Sequence, residues 1–399
     1  MPSHDASSQV LVVNCGSSSI KFRLYDMPSR REEAQGVVDR IGSPPSEFTI
    51  TVGEKTDTES LDVVDHDHGM ELILNALMSK VAAAAGIDAV GHRVVHGGER
   101  FSGSVLLDDE VIASVDDMSK LAPLHNPPNL AGIRAARRAL PGVPQVACFD
   151  TAFHAGMPKT AYLYALPYSL YEQHGVRRYG FHGTSHRYVT KRAAELLDRD
   201  PKELNAITCH MGNGSSLAAV QKGISIDTSM GMTPLEGVPM GTRSGDFDPA
   251  ILLLLAEQGH DWESLGRMCN RESGLLGISG TSHDLRELSE RAEQHDERAR
   301  LAIEVLCYRV KKYIGAYLAV LSTIDALVLT GGIGENAPRV REGICQGLGP
   351  LGIELDADRN EALVGAEGHI EVAGSRCAIL VIPTDEEGVI AEDTYQLVG

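Results

Sequence analysis

Two strand–turn–strand units with look-alike turns sit far apart in this chain, and together they restrict what it can become. In the first, the apolar run Gln9–Asn14 meets the small-residue turn Cys15–Ser19. Ile20, Phe22 and Leu24 then alternate with Lys21, Arg23 and Tyr25. That alternation is the period of a half-buried strand, so the segment is a hairpin. The second unit runs from a strand at Ala206–His210 through the turn Gly212–Ser216 into a return strand at Leu217–Val220. A Lys222-Gly223 turn and a further strand follow. The turns CGSSS and GNGSS open what would be two halves. Similarity at such long separation argues for a duplicated domain and against a solenoid.

The length agrees. A chain of 399 residues exceeds what one hydrophobic core usually serves, so two domains are expected. Helices are expected between the strands: at Gly69–Ala85, stopped by Gly86, at Pro128–Leu140 and at Ser185–Leu197. Another is expected at Pro249–Gln258, with Asp248 as N-cap and proline at the first helical position. Glu297–Thr323 is apolar at three- and four-residue spacing, the mark of a core helix. Strands at Val143–Phe149, Asp325–Thr330 and Ala378–Pro383 complete the pattern. Strands interspersed with helices make the class α/β.

Composition narrows the partners. Hydrophobic residues at 43% and charged residues at 23% describe an ordinary globular chain. The net charge of −19 argues against nucleic acid or an anionic membrane, and an anionic substrate would need arginines concentrated locally. The seven cysteines are dispersed and form no CxxC pair, which fits free thiols in a reducing compartment better than disulfides or zinc. The opening MPSHDASSQ is too polar for a signal h-region, and the apolar run Ile251–Ala256 is far short of the ~18 residues of a membrane span. A soluble, cytoplasmic protein is expected.

Glycine and hydroxyl residues cluster in turns expected after strands, at 14–21, 210–216, 330–336 and, more weakly, 279–286. Backbone amides in such turns form anion-binding concavities, and several in one chain point to phosphate. No GxxxxGK[ST] loop is present, and GGIGEN is not a GxGxxG dinucleotide fingerprint. Lys21, opposite Phe22 on its strand, is a solvated residue or a cation returning toward phosphate. Arg93, within HRVVHGGERF, ends an apolar strand and can grip a carboxylate with two prongs or form a salt bridge. Asp150 follows a strand end, where α/β ligand sites collect; a helix N-cap is the plainer alternative.

In YGFHGTSH, His182 and His186 lack the glutamate of HExxH and a third ligand, so zinc is not expected. His186 reads as structural, and His182 as a donor to a transferring phosphoryl group or a satisfied buried histidine. The Pro/Gly-rich loop 232–249 carries Arg243, which could cover phosphate charge. Asp284 and Arg286 sit at a helix start, serving its dipole or facing a nucleotide. No GxSxG elbow supports a serine hydrolase.

Nine segments span essentially the whole chain in order: VVNCGSSSIKF, GHRVVHGG, LAPLHNP, FDTAFH, YGFHGTSH, HMGNGSS, TPLEGVPMGTRSGD, LTGGIGEN and IPTDEE. Through them the chain resembles the acetokinase family, in the acetate and sugar kinase/heat-shock protein/actin superfamily. The resemblance implies two similar domains of the actin-like ATPase (ribonuclease H-like) type with an active-site cleft between them. They would be residues 1–154 with 388–399, and residues 155–387. It implies ATP or ADP, Mg²⁺ with Mn²⁺ as a substitute, acetate as second substrate and a homodimer.

Carried over residue by residue, the resemblance implies Asn14 and Glu386 near the metal, and Ser17, Ser19 and Lys21 near ATP phosphates. The nucleotide would lie against His210, Met211, Gly212, Asn213, Gly214, Asp284, Leu285, Arg286, Gly332, Ile333, Gly334, Glu335 and Asn336. Arg93 would hold the acetate carboxylate, with Val95, Leu124, Phe181 and Pro234 lining its methyl pocket and His125 close by. Asp150, His182 and Arg243 would be catalytic. The chain departs from the family pattern in three places: Cys15 in place of alanine, Asp385 in place of the asparagine before the metal-site glutamate, and Leu285 where phenylalanine is common.

The expected chemistry is direct in-line transfer between ATP and acetate. Acetate is already ionised at pH 7, since a carboxyl pKa lies near ~4, and needs no general base. Asp150 is therefore expected to order the metal through water or to orient Arg93, while His182 and Arg243 meet the equatorial oxygens. The domains are expected to close around the substrates. A propionate or butyrate kinase is the near rival; an actin- or chaperone-like ATPase and a non-catalytic nucleotide-binding regulator are rivals of other classes. Cys15 and Cys209 flank the expected phosphate site, which makes thiol oxidation an expected route to inhibition.

Overall fold

The computed structural model describes residues 8–81 and 86–399. Contacts divide the chain into two compact units, Met1–Ala155 with Asp385–Gly399, and Gly156–Thr384. The return to the first unit begins at Asp385 because its carboxylate caps the last helix, Glu386–Val398, accepting from the Gly388 N–H at 3.0 Å.

The first unit holds one sheet of β1 (Ser8–Cys15), β2 (Ser19–Met27), β3 (Arg31–Asp39), β4 (Ser46–Val52), β5 (Lys55–Leu61), β6 (Ile87–Val94), β7 (Val105–Leu106) and β8 (Gln145–Phe149), in the order β5-β4-β3-β2-β1-β6-β8-β7. β1 to β5 form an antiparallel meander, and β6 and β8 run parallel to β1. The run Val10–Val13 is buried on both sides, as a strand covered on both faces must be. In β2, Ile20, Phe22 and Leu24 are buried while Lys21 faces out, as expected, but Tyr25 on the other face is also buried, in the cluster that contains Ile390 of the C-terminal helix.

One face of this sheet packs under α1 (His66–Lys80), α2 (Asp109–Asp117) and α3 (Asn126–Ala139), joining Leu11, Phe22, Ile73, Leu77 and Ala136 in one cluster with α1 and α3. The C-terminal helix covers the other, with Ile390 and Ala391 against Val10, Val12, Ala89 and Cys148. Two helix ends differ from the expected ones. α1 starts at an Asp65 cap and ends at Val81, whose N–H closes on Leu77; residues 82–85 of the expected helix lie outside the described residues. α3 starts two residues early because Pro127 and Pro128 fit the first turn, where no backbone donor is needed.

The second unit holds β9 (Ala206–Met211), β10 (Ser215–Gln221), β11 (Ile224–Thr228), β12 (Ala326–Thr330), β13 (Gly368–His369) and β14 (Ala378–Val381), in the order β11-β10-β9-β12-β14-β13. β9 to β11 are antiparallel, and β12 and β14 run parallel to β9. The series β3-β2-β1-β6-β8 and β11-β10-β9-β12-β14 therefore share one topology, as a duplication requires. Helices α4 (Lys159–Tyr162), α5 (Tyr168–His174), α6 (Gly183–Leu196), α7 (Ala250–Glu257), α8 (Trp262–Arg271), α9 (Gly274–Ser279), α10 (Leu285–Glu293), α11 (Glu297–Leu321), α12 (Gly331–Asn336), α13 (Pro338–Cys345) and α14 (Ala357–Ala362) complete the unit.

Ala299, Ala302, Leu306, Val310, Ile314 and Tyr317 form the buried stripe of α11, spaced by threes and fours. The helix stops at Leu321 because Ser322 turns to φ 64. α7 starts after Pro249, and Asp248 supports it from outside by accepting the Ala250 N–H at 2.9 Å. The GGIGEN segment is a short helix, where a turn was expected. It starts at Gly331, whose φ of +75 and approach to the Met211 backbone (a Cβ would lie 2.7 Å from its carbonyl oxygen) exclude any side chain. Segment 279–286 follows helix α9, where a preceding strand was expected.

Candidate active site

Because β1, β6 and β8 run side by side in one direction, their C-terminal residues gather at one edge of the first sheet. Asn14 lies near the end of β1, Arg93 near the end of β6, and Asp150 just after β8. Arg93 Nε donates to Asp150 Oδ1 at 3.0 Å, and Nη2 donates to Oδ2 at 2.7 Å. The Asp150 side chain is 2% exposed and that of Arg93 21%, so this two-point pair is nearly dry.

Burial pushes the Asp150 carboxyl up, Arg93 pulls it back, and Glu386 pushes it up again. Burial also opposes the Arg93 charge, but Asp150, then Glu386 and Glu387, more than offset it, and the guanidinium stays charged. Glu386 thus shares this electrostatic neighbourhood from the first turn of the C-terminal helix, which packs on β1 and β6. His125, just ahead of α3, acts on Asp150 as well. Asp150 caps no helix: the short turn after it starts at Thr151 without a side-chain cap. The oxygen donors here, the Asn14 amide and the Glu386 carboxylate, are of the kind a hard divalent cation takes together with phosphate and water. Among the described residues no cluster of three or more His, Cys, Asp and Glu side chains is arranged for a metal.

The first glycine turn is closed by Gly16 N–H donating to the Ser19 carbonyl at 2.8 Å, and His66 Nε2 donates to the Gly16 carbonyl at 2.8 Å. Ser17 and Lys21 are exposed, and Ser19 is half-buried. Asn129, buried on α3, donates to the Cys15 carbonyl at 2.7 Å and accepts from the Val95 N–H at 3.0 Å. One amide therefore fixes both the phosphate-type turn and the loop after Arg93. Asn126 grips His96 in the same way, through its N–H at 3.1 Å and its carbonyl at 3.0 Å. Neither asparagine stood out in the sequence, where the only signal was a helix start. Leu124 is exposed, and Val95 is half-buried.

Cys15 points away from the turn. A Cβ on Gly132 of α3 would collide with its Sγ, so the thiol occupies the space that this glycine leaves in the core. Burial pushes the Cys15 thiol up to about 12, and Cys209 is pushed up as well. All seven cysteines are buried, which argues against the expected inhibition through oxidation of Cys15 and Cys209.

In the second unit, His182 takes the left-handed conformation, φ 56, at the start of α6. Its Nδ1 bonds Ser216 Oγ at 2.8 Å; that hydroxyl also meets His186 Nε2 at 2.8 Å, and His186 Nδ1 meets Thr208 Oγ1 at 2.7 Å. His186 is fully buried and structural, as expected. The His182 ring stacks on His210, with centroids 4.3 Å apart, and His210 Nδ1 is held by Ser185 Oγ at 2.8 Å. Thr384 Oγ1 in turn donates to Ser185 Oγ at 2.8 Å.

These contacts aim His182 at the second glycine turn. A Cβ on Gly214 would lie 3.3 Å from His182 Nε2 and 3.1 Å from Arg243 Nη2. Arg243 Nη1 donates to the Pro234 carbonyl at 2.6 Å, and burial pulls the guanidinium pKa down. Among the described residues no carboxylate pairs with Arg243. The turn is braced by Gly212 N–H to the Gly214 carbonyl, 3.0 Å, and by Gly241 N–H to the Asn213 carbonyl, 3.1 Å. Phe181 is fully buried and Pro234 half-buried.

On α12, the Glu335 carboxylate accepts the Thr384 N–H at 3.1 Å, and Asn336 Nδ2 donates to the Gly332 carbonyl at 3.0 Å. Gly332 is exposed, Ile333 half-buried and Gly334 buried. The buried Arg341 holds this helix end, donating to the Gly334 and Glu335 carbonyls at 2.9 and 3.0 Å. Two residues expected against a nucleotide turn inward: the Met211 and Leu285 side chains lie in the core of the second unit. Asp284 caps α10 and takes both its N–H partner and its ion pair from Arg286, whose hydrogen bond holds the carboxyl down at about 2.

Two sheets of one topology, each with a glycine turn at the corresponding hairpin, are the architecture of the actin-like kinases, and the chain is a phosphotransferase of that class. It belongs to the acetokinase family, whose model matches residues 9–392. It is 52% identical to the acetate kinase of Halothermothrix orenii over 98% of this chain and 99% of that protein. Among solved structures it is similar to Porphyromonas gingivalis acetate kinase, 47% identical with a TM-score of 0.94 over 98% of this chain and 100% of that one. It is also similar to a propionate kinase from Francisella tularensis, 41% identical with a TM-score of 0.93, covering 98% and 100%.

Proposed function

We propose that the chain transfers the γ-phosphoryl group of ATP to acetate, giving acetyl phosphate and ADP, and catalyses the reverse reaction. The observation that carries this reading is the approach of His182 Nε2 and Arg243 Nη2 to Gly214, in a member of the acetokinase family. A carboxylate oxygen of acetate attacks the γ-phosphorus. A new O–P bond forms as the bond to the β,γ-bridging oxygen breaks, and its electron pair leaves with ADP. No proton is transferred, so the reaction is driven by positioning and charge neutralisation.

Arg93, oriented by Asp150, holds the acetate carboxylate, with Val95, Leu124, Phe181 and Pro234 around the methyl group and His125 beside it. His182 and Arg243 meet charge on the equatorial oxygens. Lys21, Ser17, Ser19 and the amides at 212–214 hold phosphates, and segments 284–286 and 332–336 border the nucleotide. Asn14 and Glu386 would hold Mg²⁺ or Mn²⁺, which when bound neutralises phosphate charge.

The same reading makes the protein a cytoplasmic homodimer. The buried thiols, none of them in a disulfide, suit a reducing compartment, and no helix among the described residues is long and apolar enough to cross a membrane. Helix α7 buries none of its residues and leaves Ile251, Leu253 and Leu254 exposed at 43, 62 and 54%, a surface suited to a second copy. Propionate is a second acceptor, supported by the likeness to a propionate kinase, because one methylene changes selectivity by only about 1–3 kcal/mol. Trapping acyl phosphate with hydroxylamine, using acetate, propionate and butyrate in turn, tests this. Acetate should give the largest signal; ATP hydrolysis without trapped acyl phosphate would overturn the proposal.

A further inference from the structure

We infer that Arg178 is a positioning residue for phosphoryl transfer, fixing through Glu236 the loop that presents Arg243 and holding it against the segment that presents His182. The inference rests on the role given above to Arg243.

The chain from Ser229 to Pro249 has no regular secondary structure, yet Met230, Gly231, Gly237, Val238 and Met240 are buried. A connection this long needs bracing if its side chains are to hold one geometry. Arg178 supplies it. Nη1 donates to the carbonyls of Thr228, Ser229 and Met230 at 2.9, 2.8 and 3.1 Å, and Nη2 donates to Glu236 Oε1 at 2.5 Å. Glu236 Oε2 also accepts the Tyr164 hydroxyl, whose oxygen accepts the Met232 N–H at 2.9 Å.

Pro234 lies between those two anchored residues, and its carbonyl is the one that Arg243 Nη1 grips at 2.6 Å. Further along, Asp246 accepts the Gly237 N–H at 2.8 Å and the Tyr313 hydroxyl at 2.5 Å. The backbone beside Arg178 is stitched to the same loop: the N–H groups of Tyr179 and Gly180 both donate to the Gly231 carbonyl, at 3.0 and 3.2 Å. His182 follows directly on this stretch. The Arg178 and Glu236 side chains are 15% and 31% exposed, so water competes weakly for the pair. A guanidinium offers two NH2 groups in one plane, so one serves the row of carbonyls with a shared hydrogen while the other meets the carboxylate; an ammonium has a single nitrogen for both.

The test is a kinetic double-mutant cycle on the full chain, with Arg178→Lys and the near-isosteric Glu236→Gln, each alone and combined with Arg243→Ala. We expect each single variant to lower kcat at least about tenfold, as small misplacements of reacting groups do, with the KM for ATP within about threefold. In the Arg243→Ala background the same changes should lower kcat by less than about twofold, because the group they position is gone. Unchanged kcat in both single variants would overturn the inference, and so would losses that multiply in the double variants. A lowered Tm with kcat per folded molecule unchanged would overturn it too, as the mark of a merely structural role. Arg243→Ala retaining full kcat would instead remove the role of Arg243 itself, a failure visible before the cycle is completed.

Discussion

Arg93 and Asp150 are locked to each other by both prongs of the guanidinium, Nε to Oδ1 and Nη2 to Oδ2, at adjacent strand ends. The carboxylate therefore acts first on the arginine. Asp150→Asn keeps the volume but removes the counter-charge of a nearly buried cation. Breaking such a pair from one side costs about 3 kcal/mol of stability. We expect that loss in urea unfolding, with kcat lowered at least about tenfold at saturating Mg²⁺ as Arg93 drifts. Full activity under those conditions would show that Asp150 neither orients Arg93 nor orders the metal.

His92, next to Arg93 on β6, is fully buried with Nε2 donating to Gln145 Oε1 at 2.8 Å. Burial pulls its pKa down to about 4, with the Gln145 bond working against it. The folded protein thus refuses a proton that the unfolded chain accepts below about pH 6.5. Its contribution is present above that pH and is lost as pH falls toward about 4, by about 3 kcal/mol in all. Urea midpoints at pH 7 and 4.5 should therefore fall more steeply for the natural protein than for His92→Gln. Parallel slopes would refute it.

Gly132→Ala should destabilise the first unit by about 1–3 kcal/mol, because the added methyl meets the Cys15 thiol in a close-packed core. Cys15→Ala should restore part of that loss and no more, since the Cys15 Cβ would still lie 2.8 Å from the new methyl. Thermal melts of the two single variants and the double variant check this. Thiol reagents should leave the native enzyme active. Rapid inactivation traced to Cys15 would contradict its burial.

Replacing Leu253 and Leu254 on α7 by glutamate should convert a dimer to monomers in light scattering, with little change in Tm of the monomer, because neither side chain is buried within the chain. An unchanged mass would place the dimer interface elsewhere or show that the protein is monomeric.

Much of this was legible in the sequence where local physics decides. The two hairpins follow from alternation and small-residue turns, and both appear in register, Asn14 opposite Lys21 and His210 opposite Ser216. The α11 stripe follows from its spacing. The misreadings arose where a distant contact decides. GGIGEN reads as a turn by composition, yet the strand it leaves passes so close to Met211 that only glycine can begin the helix there. At Leu285, which the family pattern sets beside the nucleotide, helix periodicity sends the side chain into the core. Asn129 and the Arg178–Glu236 pair could not be found by spacing, because each joins segments that meet only after folding.

The C-terminal helix covers one face of the first sheet, with Ile390 and Ala391 closing over Val10, Val12 and Ala89. On the ribosome that face is made first and covered last. The amino-terminal half emerges with an apolar surface that must wait, while the whole second unit is synthesised, for a cover at the far end of the chain. Nascent chains should therefore stay protease-sensitive in this half until that helix has emerged, and chaperones that shield exposed strands would find their client here.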